Sequence, residues 1–357
     1  MRTYFAILVI SSVAAFLFTP LARWIAFRWG AVDLPGGRKV HTEPMPRLGG
    51  LAVFGGFCFP WAGLYLFRNQ VTATFQNYEK MFLALIIGAA AMLILGICDD
   101  LKNLKATRKL AVQVVIATGL YFAGFRITML SNPLGGTWML GWLALPISVL
   151  WIVGITNAIN LLDGIDGLAT GVTACIALAL ALINVLHGNI IVALLTFCLA
   201  GACLGFLPYN FCPARIFLGD SGSLFLGLLL SCIGILSLFK AATATFVLAP
   251  LILFGLPLFD TTSVVIGRLR RGVPLFKGDK SHVHHRLLSL GWNQKQAAYF
   301  LYGVTLVLGG AAILFSVHQS PIVLAGGAAF VMIFTVVVWI AWRSSVNKTP
   351  NAPEDNP

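Results

Sequence analysis

Residues 139–186 read MLGWLALPISVLWIVGITN, AINLLDGID and GLATGVTACIALALALINVL in succession. Two apolar stretches, each close to the roughly 20 residues needed to cross a bilayer, flank one short polar hinge. Asn157, Asn160, Asp163 and Asp166 recur there every third residue, with Gly164 and Gly167 interleaved. On a helix a three-residue step drifts by about 60°, so the four side chains share one flank. The glycines suggest a broken helix end where backbone can approach a ligand closely. Two carboxylates and two amides on one flank suit a hard cation or the hydroxyls of a nucleoside. Helix capping by Asn and Asp accounts for one or two such groups, not for all of them.

The same alternation of apolar run and polar hinge extends through the chain. Its 357 residues are 59% hydrophobic and only 10% charged, with a mean hydropathy of +0.90. Soluble domains are about 25% charged, so a soluble enzyme, a disordered chain and a secreted disulfide scaffold are all excluded. Apolar runs fall near residues 3–22, 49–67, 81–98, 109–125, 139–157, 167–186, 189–207, 222–239, 243–260, 297–316 and 320–342. These 11 runs predict an all-α, polytopic integral membrane protein. A single catalytic domain is expected over residues 1–346, with a disordered tail over 347–357. The first run closes on Thr19-Pro20-Leu21-Ala22-Arg23 rather than on a small-residue cleavage site, so it reads as a span. The 7 cysteines have no metal-type spacing and read as buried thiols.

Charge sets the expected orientation. Of 24 Lys and Arg residues, 19 fall in the loops after odd-numbered runs or at the C-terminus, and 5 fall on the other side. Basic loops face the cytoplasm, which puts the N-terminus outside and the C-terminus inside. The net charge of +12 is therefore a topology signal, and no nucleic-acid partner is expected. Asp99, Asp100, Asp163, Asp166, Asp220 and Asp260 all sit at or near cytoplasmic run ends. Carboxylates at membrane depth are costly and normally face a partner or a polar cavity, so an active site is expected at the cytoplasmic face.

Further motifs belong to that face. Cys98-Asp99-Asp100-Leu101-Lys102-Asn103 ends a run on two adjacent carboxylates, which repel unless a cation or proton intervenes. A Mg²⁺ or general-base site is one reading; a hydrated span end beside Lys102 and Lys105 is the other. Between Asn210 and Ser223 the chain reads NFCPARIFLGDSGS, so a Gly/Ser run around Asp220 opens an apolar helix. Backbone N–H groups at such an opening cradle anions, and an acid there makes most sense holding a metal against phosphate. Asp260 precedes Arg268, Arg270 and Arg271, then His282-Val283-His284-His285-Arg286. Guanidinium forks suit phosphate, imidazolium suits phosphate or carboxylate, and the other usual zinc ligands are missing nearby. The first loop, from Asp33 to Gly50, mixes Gly and Pro with Arg38, Lys39, His41 and Arg47. It reads as an ordered loop approaching an anion or as a plain positive-inside loop.

Taken in order over roughly residues 20–290, these elements resemble the polyprenyl-phosphate N-acetylhexosamine-1-phosphate transferases. They are Pro-Arg-Leu-Gly-Gly, Asp-Asp, Asn-x-x-Asn-x-x-Asp-Gly-x-Asp-Gly, Gly-Asp-Ser-Gly-Ser and His-x-His-His. The resemblance implies transfer of a sugar-1-phosphate from a UDP-sugar to polyprenyl phosphate, with release of UMP and a requirement for Mg²⁺, Mn²⁺ being the alternative ion. It implies that Asp99 lies by the lipid phosphate with Asp100 as its partner. Asp220 becomes the Mg²⁺ ligand, with Asp163 and Asp100 on the metal side. Asn157, Asn160, Asp163 and Asp166 line the nucleotide pocket, and Asn210, Phe217 and Gly219 lie near the uracil. His282 meets the substrate phosphates with support from His284 and His285, and Lys39, Arg47, Arg268 and Arg271 bind substrate anions. The expected setting is the bacterial cytoplasmic membrane, among its lipids, as monomer or homodimer, at the start of a lipid-linked envelope glycan.

The donor sugar follows from departures. The branch acting on MurNAc-pentapeptide carries Lys-x-x-Thr-Pro-Thr-Met-Gly-Gly in the first loop and three consecutive histidines. Here Lys39 leads instead to Thr42-Glu43-Pro44-Met45-Pro46-Arg47, and Val283 interrupts the histidines. Both resemble the GlcNAc-1-phosphate branch; other UDP-N-acetylhexosamines and UDP-MurNAc-pentapeptide are the alternatives. A membrane prenyltransferase would need spaced Asp-x-x-x-Asp pairs, and a transporter would place polar features on both faces; neither pattern is present.

Overall fold

In lipid every backbone N–H and C=O must be satisfied within the protein, so the apolar runs fold as helices. The computed structural model describes residues 1–35, 43–66, 75, 78–131, 137–238, 245–273 and 282–317. Lys39, the run expected at 320–342 and the tail lie outside them. The helices are α1 (Arg2–Trp29), α2 (Gly49–Leu66), α3 (Glu79–Lys102), α4 (Ala106–Phe122), α5 (Ala144–Leu162) and α6 (Leu168–Leu186). They continue as α7 (Ile190–Asn210), α8 (Gly219–Leu238), α9 (Thr245–Leu253), α10 (Gly255–Arg271), α11 (Val283–Ser289) and α12 (Gln294–Val317). Among the described residues 7 helices are long and apolar enough to cross a membrane: α1, α3, α5 with its leading 3-10 turn, α6, α7, α8 and α12.

Two features depart from uniform spans. The apolar run at 243–260 is divided into α9 and α10. Pro257 has no N–H to offer the Leu253 carbonyl, so the helical ladder lapses between them. Helix α10 then carries Arg268, Arg270 and Arg271 in its last turn. Two short antiparallel ribbons also accompany the helices, Val32–Asp33 with Met45–Pro46 and Met129–Ser131 with Thr137–Met139.

Helix α8 is the buried mast of the bundle and α1 its lipid-facing flank: 89% of the apolar window of α8 is buried against 28% for α1. Small residues set the closest approaches. A Cβ at Gly201 or Gly205 of α7 would collide with the α1 backbone at Leu8 or Ser12, the small-xxx-small packing of membrane helices. Ser11 then bonds the carbonyls of Gly56 at 2.8 Å and Cys198 at 2.6 Å, tying α1, α2 and α7. Gly96 of α3 faces the Asp220–Ser221 backbone with no room for a side chain. That crossing brings Asp99 and Asp100, a turn further on, to the start of α8.

Candidate active site

Carboxylates from three segments meet at the N-terminus of α8. Asp99 is buried, and its Oδ1 accepts the Leu104 N–H at 2.6 Å while its Oδ2 meets Lys109 Nζ at 2.5 Å. Asn103 makes this possible by ending α3 in a left-handed conformation at φ 47°, a conformation Asn tolerates better than most residues. The chain turns there and sets Lys109, in the first turns of α4, over Asp99. Lys109 Nζ also lies 3.5 Å from Asp220 Oδ2, so one ammonium bridges the Asp99 and Asp220 carboxylates. Asn160 donates to Asp220 and to Ser223 Oγ.

The Gly/Ser opening of α8 does cradle anions, but those anions are the protein's own. The Asp220 and Ser221 N–H groups donate to the two oxygens of Asp100 at 2.9 and 3.0 Å, and the Gly219 N–H donates to Asp163. Gly219 adopts φ 74°, and a Cβ there would lie 2.7 Å from Asp100 Oδ2. Asp100 thus fixes where α8 begins, with a charge that complements the helix dipole. Burial, then the charges of Asp220, Asp100 and Asp166, push the Asp163 carboxyl well above the usual carboxylate range.

Several other expected site residues brace this cluster. Asp166 Oδ2 accepts the Ala214 N–H at 3.0 Å. Asn210 is buried, accepts from Thr170 Oγ1 at 2.7 Å and donates to the Ile216 carbonyl at 3.1 Å. Together they hold the loop before α8. The backbone of Phe217 and Leu218 zips to Pro46, Gly49 and Gly50, which ties in the first loop, and Arg47 forms an ion pair with Asp33. Asn157 donates to Gln113 Oε1 at 2.6 Å and to the Val153 carbonyl at 2.8 Å, within the bundle.

The histidine loop closes over the hinge. Asp260 is fully buried on α10, with its Oδ2 2.8 Å from His282 Nδ1 and its Oδ1 accepting the Val283 N–H at 2.7 Å. One carboxylate therefore caps α11 and orients the imidazole. The His282 and His284 rings stack at 5.7 Å and 8°, and His285 lies 4.4 Å from His284. His284 sits against Gly164, where any side chain would strike its ring. Burial, reinforced by His285, pushes His284 down to about 3, with Asp260 opposing the shift. Arg268 is buried on the same face of α10 as Asp260. Arg271 is exposed, and its Nε donates to the Gly267 carbonyl at 3.1 Å.

Two contributors escape a motif reading: Lys109 and Gln113. Each is a polar or charged residue in or beside an apolar run, and that cost is the signal that marks them. Among the described residues no three His, Cys, Asp or Glu side chains form a ready-made metal shell. Mg²⁺ in phosphate chemistry is commonly held by one or two carboxylates plus substrate oxygens. A carboxylate excess relieved within the cluster by Lys109 suits such an ion.

A cluster of carboxylates, lysine and histidines at one end of a bundle of apolar helices marks a polar functional site in a membrane protein, and sequence comparison gives the family. Residues 82–238 match the model for glycosyl transferase family 4. Over 339 residues, 95% of this chain and 89% of the relative, the sequence is 38% identical to a probable undecaprenyl-phosphate N-acetylglucosaminyl 1-phosphate transferase of Bacillus subtilis (strain 168). It is 33% identical to a decaprenyl-phosphate N-acetylglucosaminephosphotransferase of Mycobacterium tuberculosis (strain ATCC 25618 / H37Rv), covering 92% of this chain and 87% of that one. A phospho-N-acetylmuramoyl-pentapeptide-transferase of Synechococcus sp. (strain JA-2-3B'a(2-13)) is 35% identical over 84% of this chain and 86% of its own. The chain belongs to glycosyl transferase family 4.

Proposed function

We propose that this protein transfers N-acetylglucosamine-1-phosphate from UDP-N-acetylglucosamine to polyprenyl phosphate and releases UMP, at the cytoplasmic face of a bacterial membrane. The observation that carries the reading is the convergence of Asp99, Lys109, Asn160, Asp163 and Asp220 at a helix-bundle end, with the histidine loop packed against the adjoining Gly164. The relatives named for N-acetylglucosaminyl transfer support the donor, and the 19-to-5 split of basic residues supports the orientation.

The chemistry asks for positioning and charge neutralisation more than for a strong base. The attacking oxygen belongs to a phosphate whose second pKa is near 6, so it is largely ionised. It forms a new P–O bond to the phosphorus that bears the sugar, while the pyrophosphate P–O bond breaks and UMP departs. Asp99 and Lys109 lie on α3 and α4 at headgroup depth and orient the lipid phosphate. Asp220 and Asp163 would hold Mg²⁺, which supplies positive charge at the pyrophosphate; Asp100 and Asn160 keep these two carboxylates in place. His282, held through Nδ1, offers Nε2 to the donor phosphates.

The test is a purified enzyme given short polyprenyl phosphate, Mg²⁺ and, in turn, UDP-GlcNAc, UDP-GalNAc or UDP-MurNAc-pentapeptide, with UMP release measured. UDP-GlcNAc should give the highest kcat/KM. Preference for either other donor rejects the sugar, and absence of UMP with all three rejects the reaction.

A further inference from the structure

We propose that a pocket on the lipid-facing flank of the bundle, apart from the acid cluster, binds the headgroup of an anionic glycerophospholipid. The pocket lies between α1 and the end of α7, holds about 340 Å³, and is lined by Thr19, Pro20, Arg23, Trp24, Phe27 and Tyr209. Its origin is local. Pro20 in α1 and Pro208 in α7 each lack the N–H for a helical bond. The two helices touch through the Phe16 and Tyr209 rings, 4.9 Å apart, and the pocket opens a turn further along α1.

Its level in the membrane is fixed by its neighbours. Tyr209 adjoins Asn210, whose amide holds the loop before α8. Ala31, just past α1, accepts the Arg47 N–H at 3.0 Å. The pocket therefore shares the membrane surface of the acid cluster, the level at which lipid headgroups lie.

The lining has the chemistry of a phosphodiester site with an acyl platform. The Arg23 guanidinium stands 5.8 Å over the Phe27 ring and that of Arg28 stands 5.9 Å over Trp24. Stacking pre-orients both forks, and a guanidinium fork matches two phosphate oxygens. No acid lines the pocket. Arg28 lies in the last turn of α1, where a cation complements the helix dipole. Arg23 lies nearly two turns before the Gly30 cap, beyond that effect, and is exposed on the pocket wall, where its guanidinium is available to a lipid phosphate. Trp24 and Phe27 remain 60% and 47% exposed and offer an aromatic surface to the first acyl carbons. A zwitterionic headgroup would bring its ammonium beside Arg23, whereas phosphatidylglycerol would not.

The proposal needs membrane insertion but not the assignment of donor or reaction, and binding rather than turnover reads it out. The full-length protein in mild detergent is titrated with phosphatidylglycerol or with phosphatidylcholine of the same chains, and bound lipid is counted by native mass spectrometry. Phosphatidylglycerol should bind preferentially. At about 1 kcal/mol per basic residue near a membrane surface, Arg23→Gln should weaken its binding about fivefold and Arg23→Gln with Arg28→Gln about twentyfold or more. Arg23→Lys, which keeps the charge and loses the fork, should fall between Arg23→Gln and the unaltered protein. Unchanged thermal midpoints certify that the variants are folded. Equal binding of the two lipids, or phosphatidylglycerol affinity unaltered in Arg23→Gln, overturns the proposal. Stoichiometric displacement of phosphatidylglycerol by short polyprenyl phosphate also overturns it, because the pocket would then belong to the substrate.

Discussion

Replacing Asp260 by asparagine tests how the histidine loop works. The carboxylate is fully buried and has two partners, His282 Nδ1 at 2.8 Å and the Val283 N–H at 2.7 Å. A carboxylate can only accept, so Nδ1 of His282 donates to Asp260, and Nε2 can donate to a phosphate only in the imidazolium form, for which Asp260 is the buried countercharge. An amide of the same size can keep the Val283 bond through its oxygen, but it then presents NH₂ to His282. The imidazole must accept at Nδ1, its proton moves to Nε2, and the buried countercharge for an imidazolium disappears. A hydrogen bond to a charged group contributes about 1.5–3 kcal/mol, which as lost transition-state stabilisation is about a 10- to 200-fold fall in kcat/KM. His282→Ala should fall about 100- to 1000-fold, the range for losing one preorganised donor. Because Asp260 acts through His282, the double variant should match His282→Ala alone rather than multiply the two losses. UMP release as a function of UDP-GlcNAc concentration, with the thermal midpoint measured alongside, decides the case. An Asp260→Asn enzyme with unaltered kcat/KM, or one whose loss persists in the His282→Ala background, refutes the positioning role.

Lys109→Met should leave the buried Asp99 and the partly exposed Asp220 without their nearest cation, destabilising the site by about 3 kcal/mol and lowering turnover; a melting curve and UMP release check both, and normal turnover would remove Lys109 from the mechanism. Gln113 and Asn157 bond each other: either residue changed alone to Leu should lower the thermal midpoint by leaving a polar group unpaired, at about 1–3 kcal/mol, while the double change should be nearly neutral. An additive double change would show that the two groups are not partners. His284 is held neutral in the fold, with its pKa pushed down to about 3 against about 6.5 in the unfolded chain. Below pH 6.5 the unfolded chain binds a proton that the folded loop refuses, so stability present above that pH is lost as pH falls, by at most about 1.4 kcal/mol per unit. Melting from pH 7.5 to 5 should therefore decline more steeply for the unaltered protein than for His284→Leu; parallel slopes would contradict the assignment.

The sequence disclosed the bundle because apolar runs of bilayer length can satisfy their backbone only as helices. The run at 81–98 became Glu79–Lys102 and that at 189–207 became Ile190–Asn210. The division at Phe254 was harder to see, because Pro257 lies in an uninterrupted apolar run and its missing N–H leaves hydropathy unchanged. The ribbon joining Val32–Asp33 to Met45–Pro46 was hidden for a different reason: it depends on pairing with the loop before α8, far along the chain. Lys109 reads by charge alone as one more positive-inside residue. Only the turn at Asn103 shows that it points back at Asp99.

Residue types were legible at the site, but the division of labour among five carboxylates was not, because it depends on where their lone pairs go. Asp100 has both oxygens bonded to backbone N–H groups at the start of α8. Asp166 is joined to the Ala214 N–H, and Asp99 to Leu104 and Lys109. Asp163 receives the Gly219 N–H, and Asp220 receives the Asn160 amide with Lys109 at the longer distance of 3.5 Å. Asp220 Oδ2, with Lys109 as its cation at 3.5 Å, and Asp163, flanked by the charges of Asp220, Asp100 and Asp166, are the pair at the start of α8 placed to take a further cation. Negative charge that raises the pKa of Asp163 in the free protein is charge that a divalent ion would neutralise. The carboxylates that sequence alone presents as equivalent are thereby separated into those that build the cradle and those that can hold something in it.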